Sequence, residues 1–383
     1  MHRADRSASG LFWAASARRI GADVEAVRQR SVGARRTLGD QLTSDLSHPQ
    51  VAALLTQCLL DSARTRTDAG RALQNVVLDL MAELLRAPAD RWRGYVTHGS
   101  AAGTLHALRT ARERYPEAIV LRSTAAHASV AAAAELLSMP TAVVASTSRG
   151  EMDYGDLEAR LAQHRHRRPV IVATAGTPLT EAVDDLHRIV AVCHRLGIAD
   201  RFVHVDAAFS GIPLALRDPM GRPGFDFADG ADSVVVSGHK FLSTLLPCGI
   251  LLVKGHVGGS GHQVPDPATG HLALLLWEVM RRHGVAGLRA RASRAEAVAD
   301  YAEQALVDAG WPAWRHPHAL TVVLRCPPTP VAEQWGLPDA GGWTRLVCLP
   351  GVTRRHVDAF VAALPQPGGS AEGALVLESA GVR

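Results

Sequence analysis

Lysine is nearly absent from this chain of 383 residues: among its 41 basic side chains only Lys240 and Lys254 are lysine, and the rest are arginine. Arginine serves wherever a solvated positive charge is wanted, but its guanidinium stays protonated and forms no imine. A buried lysine amine can act as nucleophile or base. A lysine kept after a strand and a Ser-Gly-His turn, as in "DSVVVSGHKFL", therefore points to covalent chemistry. Long apolar runs are also missing. No segment reaches 18 uninterrupted apolar residues, and the N-terminus shows no apolar stretch ending in a small-residue cleavage site, so neither membrane spanning nor secretion is expected. The five cysteines, Cys58, Cys193, Cys248, Cys326 and Cys348, are odd in number and lack C-x-x-C spacing. They read as reduced thiols in a cytoplasmic protein. Net charge is only +4, and the densest basic run, "HRHRRP" at 164–169, reads as the solvated end of a helix closed by Pro169. Without a basic stripe interleaved with aromatics, nucleic acid is not an expected partner.

What is present is an alternating pattern. Apolar residues at 47% and charged residues at 20% describe a globular protein, and the length implies a large domain with a smaller companion or arm. Residues 1–50 are rich in Arg and Ala and read as an arm, and from about 50 to 87 apolar residues recur at helical spacing. Then short runs rich in β-branched residues, "AIVL", "TAVVA", "PVIVATA", "FVHVD", "DSVVVS" and "GILLV", alternate with amphipathic stretches such as "DYGDLEARLAQH" and "AVDDLHRIVAVCHRLG". That alternation predicts an α/β fold with a mainly parallel sheet covered by helices on both faces and ligands beyond the carboxyl ends of its strands. After residue 270 come a helix, a longer Ala-rich helix through 309, the candidate strands "ALTVVLRC" and "TRLVCL", and a final helix through Leu364. "PQPGGSAEG" opens a tail expected to be disordered.

Four places at strand ends carry chemistry. In "YVTHGSAAGTLHALRTAR" a strand runs into Gly99, Ser100, Ala101 and Ala102 before a helix; small residues there let backbone N–H groups approach a phosphate, although any tight β–α turn looks similar. "FVHVDAAFSG" ends a buried strand in Asp206, which either meets a cation or caps a turn, and His204 on the same strand face would allow a metal reading, for which no third ligand appears. "STAAHASV" sets His127 before a helix, as a structural or a site residue, and "SGHK" supplies Ser237 and His239 beside Lys240. Phosphate turn, flat stacker, strand-end acid and amine, in that order, are what a pyridoxal phosphate site needs.

With these residues in view the chain resembles the group II pyridoxal phosphate-dependent amino acid decarboxylases, most closely the short bacterial histidine decarboxylases. The resemblance rests on "RWRGYVTHGSAAGTLHALRTARERYPEAIVLRSTAAHASV", "GEMDYGDL", "FVHVDAAFSG", "FDFADGADSVVVSGHKFL", "PCGILLVK" and "GWPAWRHPHALTVVLRCP", and covers about residues 50–364. It implies an aspartate aminotransferase-like, fold-type-I enzyme with a seven-stranded sheet: arm 1–50, large cofactor domain 51–284, small C-terminal domain 285–364 and tail 365–383. It also implies a homodimer with shared active sites. Carried over position by position, it makes Lys240 the Schiff-base lysine and Asp206 the partner of the pyridine nitrogen, with His127 stacking on one ring face and Ala208 packing on the other. Gly99, Ser100, Ala101, Ser237 and His239 would surround the phosphate, and Thr174 would lie near the ring oxygen and the substrate carboxylate. No metal is implied.

Two departures bear on the outcome. The family's phosphate turn usually carries a hydroxyl residue and an acid where this chain has Ala101 and Ala102. The stretch "KGHVGGSGHQVPDPATGH" at 254–271 is short, Gly-rich and free of tyrosine where the family has a mobile lid with a proton donor, so Ser260 or His262 is the candidate lid acid. The expected reaction is decarboxylation of a histidine-like, aromatic or specialised-metabolite L-amino acid to its amine. The alternatives are oxidative decarboxylation-deamination or other α-carbon chemistry on the same scaffold, or a degenerate, non-catalytic partner subunit.

Overall fold

The computed structural model describes residues 68–89, 91–255 and 270–365. The N-terminal arm, Cys58, the lid candidates Ser260 and His262, and the tail from 366 lie outside the described residues.

The six β-branched runs join Trp92–Thr97 in one seven-stranded sheet, whose central strands are apolar on both faces. Its strands are β1 (Trp92–Thr97), β2 (Ile119–Ser123), β3 (Thr141–Val144), β4 (Pro169–Thr174), β5 (Phe202–Asp206), β6 (Ser233–Ser237) and β7 (Gly249–Lys254). They lie in the order β1-β7-β6-β5-β4-β2-β3. Every residue of β4, β5 and β6 is buried, whereas the edge strand β3 alternates exposed and buried. Central strands covered on both sides need continuous apolar sequence, and a half-covered edge does not. All neighbours pair in parallel except β7, which runs antiparallel to both β1 and β6.

The connecting helices cover the two faces. They are α1 (Asp68–Leu84), α2 (Ser100–Arg114), α3 (Ala128–Leu136), α4 (Tyr154–Gln163), α5 (Leu186–Arg195), the short α6 (Gly211–Ala215) and α7 (Gly270–Asp308). On one face Ala107, Leu108 and Ala111 of α2 and Val130 and Ala134 of α3 pack against Val170, Val172 and Val235. On the other, Met81, Leu157, Ile189 and Leu276 from α1, α4, α5 and α7 meet Ile171, Val203, Val205 and Val236. The strand period of two sends Val170 and Val172 to one core and Ile171 to the other.

The basic run at 164–169 departs from expectation. Helix α4 ends at Gln163, before the run begins, and Pro169 opens β4 instead of closing a helix. Proline lacks an N–H and pushes its predecessor toward extended backbone, so it suits the first residue of a strand. The arginines tie neighbouring segments together: Arg165 donates to the Leu196 carbonyl and Arg168 pairs with Asp200 at 3.3 Å.

Helix α7 is interrupted at Gly284, whose φ of 59° and ψ of 176° are not helical. Beyond it stand β8 (Ala313–Trp314), β9 (Thr321–Arg325), α8 (Thr329–Trp335), β10 (Trp343–Val347) and α9 (Arg354–Val361). The three strands form an antiparallel sheet in the order β10-β9-β8. Its own core joins Ala302 and Leu306 of α7 to Val322, Leu346, Trp335 and Phe360. No described helix is long and apolar enough to cross a membrane.

Candidate active site

The sequence-predicted residues within the described chain come together along one edge of the large sheet, at the carboxyl ends of its parallel strands. Thr174 ends β4 and pairs across with Asp206, which ends β5; Asp206 in turn pairs with Val235 of β6. Two residues further along β6, Ser237 pairs with Gly249, and Gly249 pairs with Thr97 beside the Gly99 turn. Lys240 follows β6 by three residues, and His127 follows β2 by four. The β5 and β6 ends are bound directly, since the Ser237 N–H donates to the Ala208 carbonyl at 3.2 Å.

Two glycines shape this edge. Gly99 has φ 89°, a left-handed value that a side chain rarely adopts, and it starts α2 without any side-chain cap. Gly238 is required by packing: a β-carbon there would lie 2.5 Å from Leu276 Cδ2 and 2.6 Å from Cys248 Sγ. The turn carrying Lys240 is therefore pressed onto α7.

The polar inventory of the edge fits pyridoxal phosphate. Ser237 Oγ and Thr174 Oγ1 are buried and have no hydrogen-bond partner among the described residues. Buried hydroxyls are nearly always paired, so two orphans at neighbouring strand ends mark a place for ligand atoms. The N-terminus of α2 offers the uncapped N–H groups of Ser100 and Ala101 to a phosphate. His239 lies beside them, its Nδ1 accepting from the Cys248 N–H at 3.2 Å.

Electrostatics suit an amine and an acid. Burial lowers the Lys240 pKa; Asp206 opposes this, and the positive charge of Arg345 adds to it. Burial likewise raises Asp206, against the pull of Lys240 and a hydrogen bond from the Ala208 N–H at 3.2 Å. In both, desolvation outweighs the attraction between them. His127 is exposed and caps α3, its Nδ1 accepting from the Ser129 N–H at 3.1 Å. This fixes the ring's orientation. Ala208 is 9% exposed, a small side chain at the rim.

His204 is no ligand. It is fully buried, with Nδ1 2.8 Å from Ser233 Oγ and Nε2 3.4 Å from Thr104 Oγ1, and burial drops its pKa to about 3. No cluster of three or more metal-ligating side chains exists among the described residues.

Sequence reasoning missed three charged groups. Asp184 accepts from the N–H groups of Met152 (2.7 Å) and Thr174 (2.8 Å) and so anchors the β4 end; burial raises its pKa to about 7. Its neighbour Asp185 caps α5, which made the pair look like an ordinary helix entry. Arg345 reaches over from β10, donating to the Pro178 carbonyl at 2.6 Å. Glu181 is buried between the two sheets. No local motif announces any of these, because their partners are far away in sequence.

Comparison with known proteins agrees with this geometry. The family pattern described as "Pyridoxal-dependent decarboxylase conserved domain" matches residues 65–258. A histidine decarboxylase of Mesorhizobium japonicum is 36% identical over 299 residues, covering 75% of this chain and 80% of the relative. One from Pseudomonas entomophila is 33% identical over 287 residues, covering 72% of this chain and 71% of the relative. The solved structure of an L-methionine decarboxylase from Streptomyces sp.590 has a TM-score of 0.72 at 21% identity, covering 88% of this chain and 93% of that one, and shares the fold. With a mostly parallel sheet, an amine and a strand-end acid on one edge, and these relatives, the chain belongs to the pyridoxal-dependent decarboxylases, carboxy-lyases that act on amino acids.

Proposed function

We propose that this enzyme converts a histidine-like, aromatic or specialised-metabolite L-amino acid to its amine and CO2, with Lys240 as the covalent attachment point for pyridoxal phosphate. The observation that carries the assignment is that Lys240 and Asp206, each shifted by burial and each feeling the other's charge, lie at strand ends with the hydroxyls of Thr174 and Ser237, which have no hydrogen-bond partner among the described residues. The relatives support histidine as the first amino acid to test.

Each residue has a task that its surroundings support. Desolvation keeps a larger share of Lys240 as the free amine, the nucleophilic form. Asp206 holds a proton at the pyridine nitrogen, since a carboxylate favours the charged form of its partner. When bound, the cofactor draws electrons from the α-carbon as CO2 departs. Gly99, Ser100 and Ala101 at the α2 N-terminus, together with Ser237 and His239, would hold the phosphate, and His127 and Ala208 would flank the ring. Thr174 and the positive charge of Arg345 favour a carboxylate at the substrate position. Ser260 or His262 is the candidate proton donor.

Three further points belong to this reading. The chain divides into a large cofactor domain and a small C-terminal domain at Gly284, supported by the helix break there and the separate core beyond it. It is a homodimer with shared sites, the commonest symmetric assembly. It is cytoplasmic, supported by the free thiols of Cys193, Cys248, Cys326 and Cys348.

Borohydride reduction followed by peptide mapping tests the central assignment. The pyridoxyl group is expected on Lys240; label on Lys254 alone would overturn it. A screen of amino acids for CO2 release then identifies the substrate.

A further inference from the structure

Glu181 stands out in the loop between β4 and α5. It is a non-glycine residue with φ 57°, in the left-handed region, and its carboxyl is completely buried. Both features are unfavourable in isolation, and such outliers persist where surrounding structure demands them. The surroundings here are specific. Oε1 accepts from Ser210 Oγ at 2.9 Å, and Oε2 accepts from the Leu320 N–H at 2.8 Å. Ser210 closes the turn that begins at Asp206 and holds Ala208, while Leu320 leads into β9 of the C-terminal sheet. One carboxyl thus spans the two sheets.

Further contacts flank this carboxyl on each side. Arg345 of β10 holds the Pro178 carbonyl three residues earlier in the same loop. On the large-sheet side the loop packs closely on the same turn, since a β-carbon on Gly176 would meet Ser210 Oγ at 2.3 Å. The charged and titratable groups whose fields reach the carboxyl are Lys240 from the β6 turn, Arg315 from the β8–β9 connection and Cys348 after β10.

We propose that Glu181 is a positioning residue: a buried latch through which the C-terminal sheet, docking on the loop after β4, fixes the Asp206–Ser210 turn at the cofactor. The proposal rests on the reading of Lys240 and Asp206 as the cofactor site. Burial raises the Glu181 pKa to about 7, against the hydrogen bonds it accepts, so its protonation changes near neutrality. A negative charge on it raises the Lys240 pKa.

Three variants, Glu181→Gln, Glu181→Gly and Ser210→Ala, test the latch with measurements other than turnover. Glu181→Gly relieves the left-handed strain and is expected to melt no lower than the parent. Its Leu320 amide should nonetheless exchange with solvent roughly tenfold faster, as expected for a local opening. In protein reconstituted with pyridoxal phosphate, the pH midpoint of the visible band should move down in both Glu181 variants, because Lys240 loses a nearby negative charge. Ser210→Ala should loosen the Leu320 amide without moving that midpoint. Unchanged exchange and an unchanged midpoint in both Glu181 variants would overturn the proposal. So would failure of both to fold together with a Ser210→Ala protein indistinguishable from the parent, since Glu181 would then be a support for the fold alone. If the parent itself gives no band, the Lys240 reading fails, and Leu320 exchange still decides the latch.

Discussion

Strands β5 and β6 carry two polar clusters, one toward their beginnings and one at their ends, and the two obey opposite rules. At the start, His204 is completed by Ser233 and Thr104, and every polar group in that small cluster has a partner. At the end, Ser237 is buried without a partner among the described residues, as is Thr174 on the neighbouring strand, and Asp206 feels the charge of Lys240. Burial of polar groups alone does not distinguish the clusters. What separates them is completion: a structural cluster satisfies itself, and a binding cluster leaves groups for something else to satisfy.

The largest expected effects come from breaking the incomplete end. Lys240→Ala should abolish covalent retention of pyridoxal phosphate and turnover, seen as loss of the visible band and of CO2 release, while the thermal midpoint stays close to that of the apoprotein. Asp206→Asn is milder in kind. It should keep the cofactor bound but lose the charge that holds the pyridine proton, and turnover should fall by roughly 10²–10³, the usual size of one lost preorganised electrostatic contact. Near-normal turnover in that variant would show that another group protonates the ring.

A second contrast concerns pH. His204 has its folded pKa depressed to about 3, so its contribution to stability is present above the unfolded value near 6.5 and is lost as pH falls. Asp184, raised to about 7, does the reverse: its contribution is present below the unfolded value near 4 and is lost as pH rises through about 7. Between about pH 4.5 and 6.5 the unfolded chain therefore holds a proton on His204 and the folded chain holds one on Asp184. Relative to the parent, His204→Gln should make stability fall with pH by about 1.4 kcal/mol per unit, and Asp184→Asn should make it rise by about the same amount. Urea midpoints across that window measure both slopes. Slopes of the same sign would refute the assignment.

Much of the fold, and the central residue of the candidate site, was legible in the sequence, but this contrast was not. The scarcity of lysine singled out Lys240, and the β-branched runs located six strands because central strands covered on both faces must be apolar throughout. The reversed direction of β7 was not legible, since "GILLV" has the same composition whichever way it pairs. Nor were the roles of Asp184, Glu181 and Arg345, whose partners stand up to 167 residues away. The unfilled state of Ser237 and Thr174 was equally hidden, because an absent partner is a property of three-dimensional packing. His204 shows the converse: beside Asp206 in sequence it invited a metal reading, and only the structure shows its ring enclosed by two hydroxyls.

The smallest expected effect gives the sharpest comparison, because it uses one substitution at two positions on a single strand. Ser233 and Ser237 open and close β6, and both are buried. Ser233→Ala removes a partner from buried His204, whose Nδ1 lies 2.8 Å from the hydroxyl, and a buried polar group left alone costs about 1–2 kcal/mol. It should lower the urea midpoint and leave pyridoxal phosphate affinity unchanged. Ser237→Ala removes a hydroxyl that has no partner to lose among the described residues, so the apoprotein should be as stable as the parent or slightly more so. Its cost should appear only with the cofactor, as a roughly three- to tenfold weaker affinity, the size of one ordinary net hydrogen bond. Titration of apoprotein with pyridoxal phosphate, alongside urea unfolding of the same samples, checks the crossed pattern. If Ser237→Ala destabilises the apoprotein as much as Ser233→Ala does, the two ends of the strand follow the same rule and Ser237 belongs to the fold.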